Sequence, residues 1–226
     1  MKKKLITTLA VLGIALVGSS AIAEVDHDQL SLDISKANSA NMEKMKAFIW
    51  KKASQVLMEG EDKVDLLNEV SIGDDGKVSV VNLDVESHVK KKRGLRGRVQ
   101  QQAMEDNAKY VEGAIQHAAS YIYMTKGQLL DFFSKAKITD EKGVLTATAS
   151  DVLVKGDQLT IQVDKATKLF ISKSFSSSMG DDPITGEIRY EEFSSGISHV
   201  STSTLNLPAK NAVIKSTNKD FVKRVV

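Results

Sequence analysis

The sequence predicts an α+β fold, in which a curved antiparallel sheet (a half-open β-barrel) carries helices on its concave face. Three observations predict this class. Helical periodicity is confined to residues 30–47 and 99–137, and short strand-like segments with turns at about ten-residue spacing fill most of the rest. These strands do not alternate one by one with helices, as a parallel sheet would require.

The first helix is predicted between Leu30 and Ala47, where apolar residues recur at helical spacing and lysines and glutamates lie between them. Three strands are then predicted over residues 48–58, 64–72 and 78–85. The sequence Gly-Asp-Asp-Gly at residues 73–76 is typical of a hairpin turn between the second and third. The first three strands are therefore expected to form a meander.

The clearest helical pattern runs from Val99 to about Met124, with small and β-branched apolar residues on one face. Thr125 lies three residues before Gln128, which predicts a capping box at the start of a short helix ending near Lys137. From Gly143 onwards alternating segments predict about six antiparallel strands, each with one face turned towards the core.

The first 23 residues have the pattern of a cleavable secretory signal peptide. Three lysines precede an apolar run of about 13 residues, shorter than the roughly 20 needed to cross a bilayer. Small residues end the run, which predicts cleavage between Ala23 and Glu24. We therefore expect one domain over residues 24–226 without a transmembrane segment, located in the periplasm, or secreted if the host has no outer membrane.

Removal of the leader changes the charge of the protein. The leader contains three lysines and no acid, so the remaining 203 residues have 28 basic and 29 acidic side chains and a formal charge of −1. This balance argues against a nucleic-acid partner. The chain contains no cysteine, which excludes disulfides, thiolate catalysis and zinc–thiolate sites.

The sequence contains no recognisable catalytic or metal-binding motif. None of its four histidines has metal-ligand spacing to another, and no nucleophile elbow, zinc-protease motif, P-loop or dinucleotide fingerprint occurs. We therefore predict a non-enzymatic protein with no catalytic residues, no metal site and no cofactor.

Residues 90–98 form a basic run with six positive charges in nine residues. Its glycines and its position before a helix favour an anion site formed by Lys92, Arg93, Arg96 and Arg98. The expected partner is an anionic lipid head group or an acidic protein. A solvated loop that serves solubility is the alternative.

A second candidate site is an apolar hollow inside the sheet. Trp50, Phe132 and Phe133 are the large side chains expected to line it, since aromatic and methionine side chains adapt to lipid chains. The same residues would equally well fill a closed core.

The mature chain resembles a family of uncharacterised exported bacterial proteins over residues 45–223. The similarity rests on the segment Phe48–Lys52, the run Lys92–Arg98, the pair Gly156-Asp157, and the tail from Thr204 to Phe221. In its element order the chain also resembles the periplasmic carriers of outer-membrane lipoproteins (LolA/LolB-like proteins). That resemblance implies an open barrel that binds acyl chains in its hollow.

Together these features predict a periplasmic, non-enzymatic protein that binds a lipid, a lipoprotein or another apolar ligand. The alternative is an envelope protein-interaction module that docks an acidic partner through the basic run 90–98.

Overall fold

A computed structural model of the chain describes residues 27–89, 94–194 and 196–224. It contains three α-helices, ten strands and a 3₁₀ turn. In chain order these are α1 (His27–Met45), β1 (Phe48–Met58), β2 (Glu61–Ile72), β3 (Val78–Ser87), α2 (Gly94–Ile122), α3 (Lys126–Lys135), β4 (Lys137–Glu141), β5 (Val144–Ser150), β6 (Gln158–Asp164), β7 (Phe170–Met179), β8 (Asp182–Ser194), β9 (Ile197–Leu207), the 3₁₀ turn (Pro208–Lys210) and β10 (Ala212–Lys223).

The ten strands form one antiparallel sheet in the order β3-β2-β1-β10-β9-β8-β7-β6-β5-β4. The first strand pairs with the last, so the N-terminal meander joins the C-terminal strands through the contact between β1 and β10. The strands β3 and β4 are the two edges, and they do not pair with each other. The sheet is therefore curved but open, as the sequence predicts.

The three helices cover the concave face of the sheet. The main core contains Ile34 of α1, Ala114 of α2 and Phe132 of α3, together with alternate residues of the strands. On β6, for example, Leu159, Ile161 and Val163 are fully buried, while the residues between them are partly exposed. This period of two follows from the pleat of a strand with one face on the core.

Several predicted elements are confirmed at close to their expected limits. The strand β1 spans the predicted residues 48–58, and six strands, β5 to β10, follow Gly143. The capping box at the start of α3 is present, since Thr125 Oγ1 accepts from the backbone N–H of Gln128 and the Gln128 side chain accepts from that of Thr125.

The edge strand β4 was not predicted. Its sequence, Lys-Ile-Thr-Asp-Glu, has a single apolar residue and carries no strand-like alternation. Its backbone pairs with β5 in a regular register from Lys137 to Glu141. Pairing with an existing strand thus decides its conformation, and its charged side chains are typical of a protected sheet edge.

One close approach inside the sheet requires a glycine. A Cβ atom on Gly186 of β8 would lie 2.1 Å from the ring of Phe175 on the neighbouring strand β7. The space that the missing side chain leaves is filled by this ring, which stacks on Tyr121 of α2 at 4.2 Å with an interplanar angle of 6°. Gly186 therefore allows α2 to pack closely on β7.

Candidate ligand-binding pocket

A pocket of about 320 Å³ lies between α1, the link from α2 to α3, and the concave face of the sheet. Its apolar lining comes from several elements and includes Met42, Met45, Trp50, Met124, Leu129 and Phe170. Ligand pockets in proteins typically have volumes of roughly 300 to 1000 Å³ and mostly apolar walls. The pocket has the size and lining of a small ligand site.

The pocket exists because two apolar clusters do not merge. The main core lies under α2 and α3, whereas a smaller cluster of Met45, Trp50, Val70 and Ile72 lies at the other end of α1. Residues of both clusters line the pocket, which marks the boundary between them.

Trp50 forms one wall of the pocket and is held in a fixed orientation. Its indole Nε1–H donates to Asn218 Oδ1 at 3.2 Å, and its ring stacks on Phe221 at 5.5 Å. Asn218 is itself anchored, since its Nδ2 donates to the Val200 carbonyl at 2.7 Å. The side chain of Trp50 is only 5% exposed.

Lys173 of β7 lies at another part of the pocket wall and is almost completely buried. Its Nζ donates to the carbonyls of Tyr121 and Ile122 at 3.1 and 3.0 Å. The same atom lies 4.2 Å from the centre of the Phe170 ring. Burial lowers the pKa of the Lys173 ammonium to about 7.

The hydrogen bonds from Lys173 to the end of α2 have a clear local cause. The last carbonyls of a helix have no partners within the helix and carry the negative end of its dipole. The chain turns at residues 123–125 into α3, so these carbonyls at the end of α2 remain free to accept hydrogen bonds. Lys173 supplies the donors and a positive charge, and thus caps α2.

His199 of β9 also lines the pocket, and its hydrogen bond fixes its tautomer. Nδ1 lies 2.7 Å from the Glu191 carbonyl oxygen, which can only accept, so Nδ1 carries the proton. Burial lowers the pKa of His199, which favours the neutral ring. Among the described residues Nε2 has no hydrogen-bond partner, and it remains available as an acceptor.

Ser35 of α1 adds a further polar group to the pocket wall. Its side chain is 1% exposed, and its Oγ has no hydrogen-bond partner among the described residues. A buried hydroxyl without a partner is costly. Together with other polar side chains such as Asn41, Lys173 and His199, it adds polar groups to a wall that also contains large apolar side chains.

A hydrogen-bonded network behind α2 is separate from the pocket. The buried carboxylate of Asp157 accepts from the backbone N–H groups of residues 152–154 and from the hydroxyl of Tyr121. Burial alone raises the pKa of Asp157, but these hydrogen bonds outweigh it and hold the pKa below its usual value. Ser177 joins Tyr121 to His117 at 3.0 and 2.9 Å. The network fixes the loop of residues 151–157 against α2.

Asp65 of β2, Glu86 of β3 and His88, which directly follows β3, form a surface cluster of possible metal ligands. One potential ligand atom from each of Asp65, Glu86 and His88 lies within 4.8 Å of the others. His88 Nε2 lies 2.9 Å from Asp65, whereas Nδ1 lies 4.0 Å from Glu86. The two carboxylates thus face different nitrogens, and one metal ion would require a side chain to turn. The geometry is that of a hydrogen-bonded surface group.

The predicted site residues occupy different environments. Trp50 lines the pocket, whereas Phe132 and Phe133 are buried in the main core and contact each other at 5.0 Å. Arg98 is exposed on α2, and Arg96 lies in the first turn of that helix. Lys92 and Arg93 lie outside the described residues, as do the leader and its cleavage site at Ala23 and Glu24.

The residue that sequence reasoning missed is Lys173. Lys173 lies two residues from both Ile171 and Phe175 along β7, so the three side chains share one face of the strand. This face is turned inward, which places a lysine at an inward-facing position. A charged residue in an apolar alternation is the signal that identifies it. In the described ranges, none of the helices has the length and apolar character needed to cross a membrane.

Comparisons with known proteins give structural neighbours only. No family model and no curated protein matches the chain. A DUF1329 family protein from Desulfovibrio piger is similar in structure, with a TM-score of 0.44 and 11% identity over 88% of this chain and 94% of that chain. A LolA superfamily protein from Nitrosomonas europaea has a TM-score of 0.39 and 11% identity over 87% and 94% of the two chains.

Proposed function

We propose that the protein is a non-enzymatic binding protein of the periplasm that takes a lipid, a lipoprotein acyl chain or another apolar ligand into the pocket. The observation that carries this proposal is the pocket itself, which opens between two apolar clusters on the concave face of the sheet. A closed core would have brought these clusters into contact.

The lining supports a ligand with a flexible apolar chain. Three methionines, Met42, Met45 and Met124, face the pocket beside Trp50. Methionine is unbranched and polarisable, so it adapts its shape to different apolar partners. The oriented indole of Trp50 adds a flat, rigid surface to the same lining.

The polar groups favour binding over catalysis. Lys173 and His199 are on strands separated by β8, and each makes its own hydrogen bonds to backbone carbonyls. No hydrogen bond joins them within the described part of the chain. Separate groups of this kind can each orient a ligand, whereas an activated nucleophile needs its base within hydrogen-bond reach.

The predicted leader supports the periplasmic location. Cleavage after Ala23 leaves a nearly neutral protein in the compartment through which envelope lipids travel. The absence of cysteine means that the exported domain depends on its core for stability.

Native mass spectrometry of the protein purified from the periplasm of its own host tests this function. We expect a fraction of the molecules to carry an amphiphile that organic extraction removes. The extracted protein should then bind N-phenyl-1-naphthylamine, an uncharged fluorescent apolar probe.

Two leucine variants locate that binding. Trp50→Leu should weaken the probe's affinity several-fold, since Trp50 lines the pocket. Phe48→Leu is the matched control on the same strand, because Phe48 contacts Phe193 and does not line the pocket. If the native protein carries no amphiphile and the extracted protein does not bind the probe, the proposed function is wrong.

A further inference from the structure

Lys173 places a buried amino group at the pocket, and no carboxylate among the described residues pairs with it. None of the salt bridges among the described residues involves Lys173, and burial is the only cause of its lowered pKa. Surface lysines of this protein, such as Lys135 and Lys165, have carboxylate partners. An unpaired ammonium in an apolar interior is costly unless a partner offsets the cost.

The Lys173 ammonium has one N–H group beyond those that its two carbonyl partners use. An ammonium has three N–H groups, and two of them are used by the carbonyls of Tyr121 and Ile122. The ring of Phe170 lies at 4.2 Å and that of Tyr190 at 5.9 Å, and both of these residues also line the pocket. The third N–H has no hydrogen-bond acceptor among the described residues.

The pocket runs across the strands from this lysine towards Trp50. Lys173 is on β7 and Trp50 on β1, and β8, β9 and β10 lie between them. Neighbouring strands lie about 4.8 Å apart, so these four steps span about 19 Å measured along the sheet. Pocket residues come from all five of these strands, so a linear molecule lying across them can contact Lys173 with one end and Trp50 with the other.

We propose that the pocket takes a single-chain amphiphile with a carboxylate head, with the carboxylate on Lys173 and the chain directed towards Met42, Met45 and Trp50. This inference rests on the proposed function and adds the class and orientation of the ligand. A carboxylate suits the site because one remaining N–H can satisfy one of its oxygens. A phosphate monoester carries a charge of about −1.5 to −2 near pH 7, and the single Lys173 ammonium neutralises only one negative charge.

Titrations monitored by the emission of Trp50 test the head group. Trp50 is the only tryptophan of the chain, so its emission reports on the pocket. We expect dodecanoate to bind at least about tenfold more tightly than dodecanol, because a hydrogen bond to a charged group is worth about 1.5–3 kcal/mol. Dodecyl phosphate should bind more weakly than dodecanoate.

Three variants assign the preference to Lys173. Lys173→Met should bring dodecanoate and dodecanol to within about threefold of each other, and Lys173→Arg should retain the preference. Lys210→Met is the matched control, because Lys210 also has its Nζ over an aromatic ring, that of Tyr110, but does not line the pocket. It should bind as the unmodified protein does.

The outcomes separate this inference from the proposed function. Equal binding of dodecanoate and dodecanol by the unmodified protein would overturn the carboxylate assignment and leave an apolar pocket in place. Tighter binding of dodecyl phosphate would also overturn it. If Lys173→Met does not fold, the ratio of the dodecanoate and dodecanol affinities in the unmodified protein still tests the carboxylate assignment. Failure of every probe would count against the proposed function itself.

Discussion

Lys173 and Ile122 join the end of the longest helix to the sheet: Nζ of Lys173 lies 3.0 Å from the Ile122 carbonyl oxygen. The same ammonium also faces the pocket. One side chain therefore closes the C-terminal end of α2 and provides the charge that a bound acid would meet. If the proposed acid binds there, Lys173 would couple its binding to the stability of the fold.

Stability should rise with pH above neutrality because of Lys173. In the unfolded chain a lysine has a pKa near 10.4, whereas burial lowers that of folded Lys173 to about 7. Between these values the unfolded state binds more protons, so the free energy of unfolding rises by up to about 1.4 kcal/mol per pH unit. Below pH 7 both states are protonated, and the cost of the buried charge is fully present.

Urea unfolding of the unmodified protein and of Lys173→Met at pH 7, 8 and 9 measures this effect. Two tyrosines and one histidine near the pocket titrate outside this window, because burial raises the pKa values of Tyr121 and Tyr190 and lowers that of His199. The difference in stability between the two proteins should therefore change with pH. Parallel curves would contradict the assignment of a buried ammonium at this position.

Asp157→Asn should destabilise the protein by about 2–4 kcal/mol. The carboxylate accepts from three backbone N–H groups and from Tyr121, and hydrogen bonds to a charged group are the stronger ones. Asp151→Asn is the control in the same loop, since exposed Asp151 accepts from the single N–H of Gly156. Equal losses for the two variants by chemical denaturation would show that the buried network adds no more stability than one exposed hydrogen bond.

Gly186→Ala should cost about 1–3 kcal/mol, because its Cβ would overlap the Phe175 ring and force it off Tyr121. Gly127→Ala in α3 is the control, since a Cβ there meets nothing within 4 Å and alanine favours a helix. Thermal unfolding should show a lower midpoint for the first variant and an equal or higher one for the second. A midpoint for Gly186→Ala at or above that of the unmodified protein would contradict this packing.

Asn218→Ala should allow the Trp50 side chain to change its orientation. The indole loses its acceptor and the Val200 carbonyl loses its donor, so we expect a shift in Trp50 emission and a loss of about 1–2 kcal/mol. Asn206→Ala removes a comparable side-chain hydrogen bond on the exposed face of β9, and should leave the emission unchanged. An identical spectrum for Asn218→Ala would mean that Asn218 does not orient the indole.

The fold could be predicted from the sequence further than the site could. Alternation and turn residues located β1 and the strands after Gly143, because these signals are local. The strand β4 was not predicted, since its conformation depends on pairing with β5 and its sequence contains one apolar residue, Ile138.

The pocket depends on contacts that no local pattern encodes. In the sequence Phe132, Phe133 and Trp50 are equally plausible as core or pocket residues. In the structure Phe132 and Phe133 fill the core under α3, whereas Trp50 lines the pocket between the two clusters. The sequence indicated that Lys173 occupies an inward position of its strand. Its hydrogen-bond partners, however, are carbonyls at the end of α2, about 50 residues earlier in the chain. Such a relationship appears only once the sheet and the helix are assembled.

Quenching of Trp50 by brominated dodecanoates tests the central claim most directly, because bromine quenches an indole only at close contact. With the carboxylate on Lys173 and the chain directed across the sheet, 12-bromododecanoate should quench Trp50 strongly and 2-bromododecanoate only weakly. Equal quenching by both acids would contradict the proposed orientation. No quenching by either acid would contradict binding in this pocket.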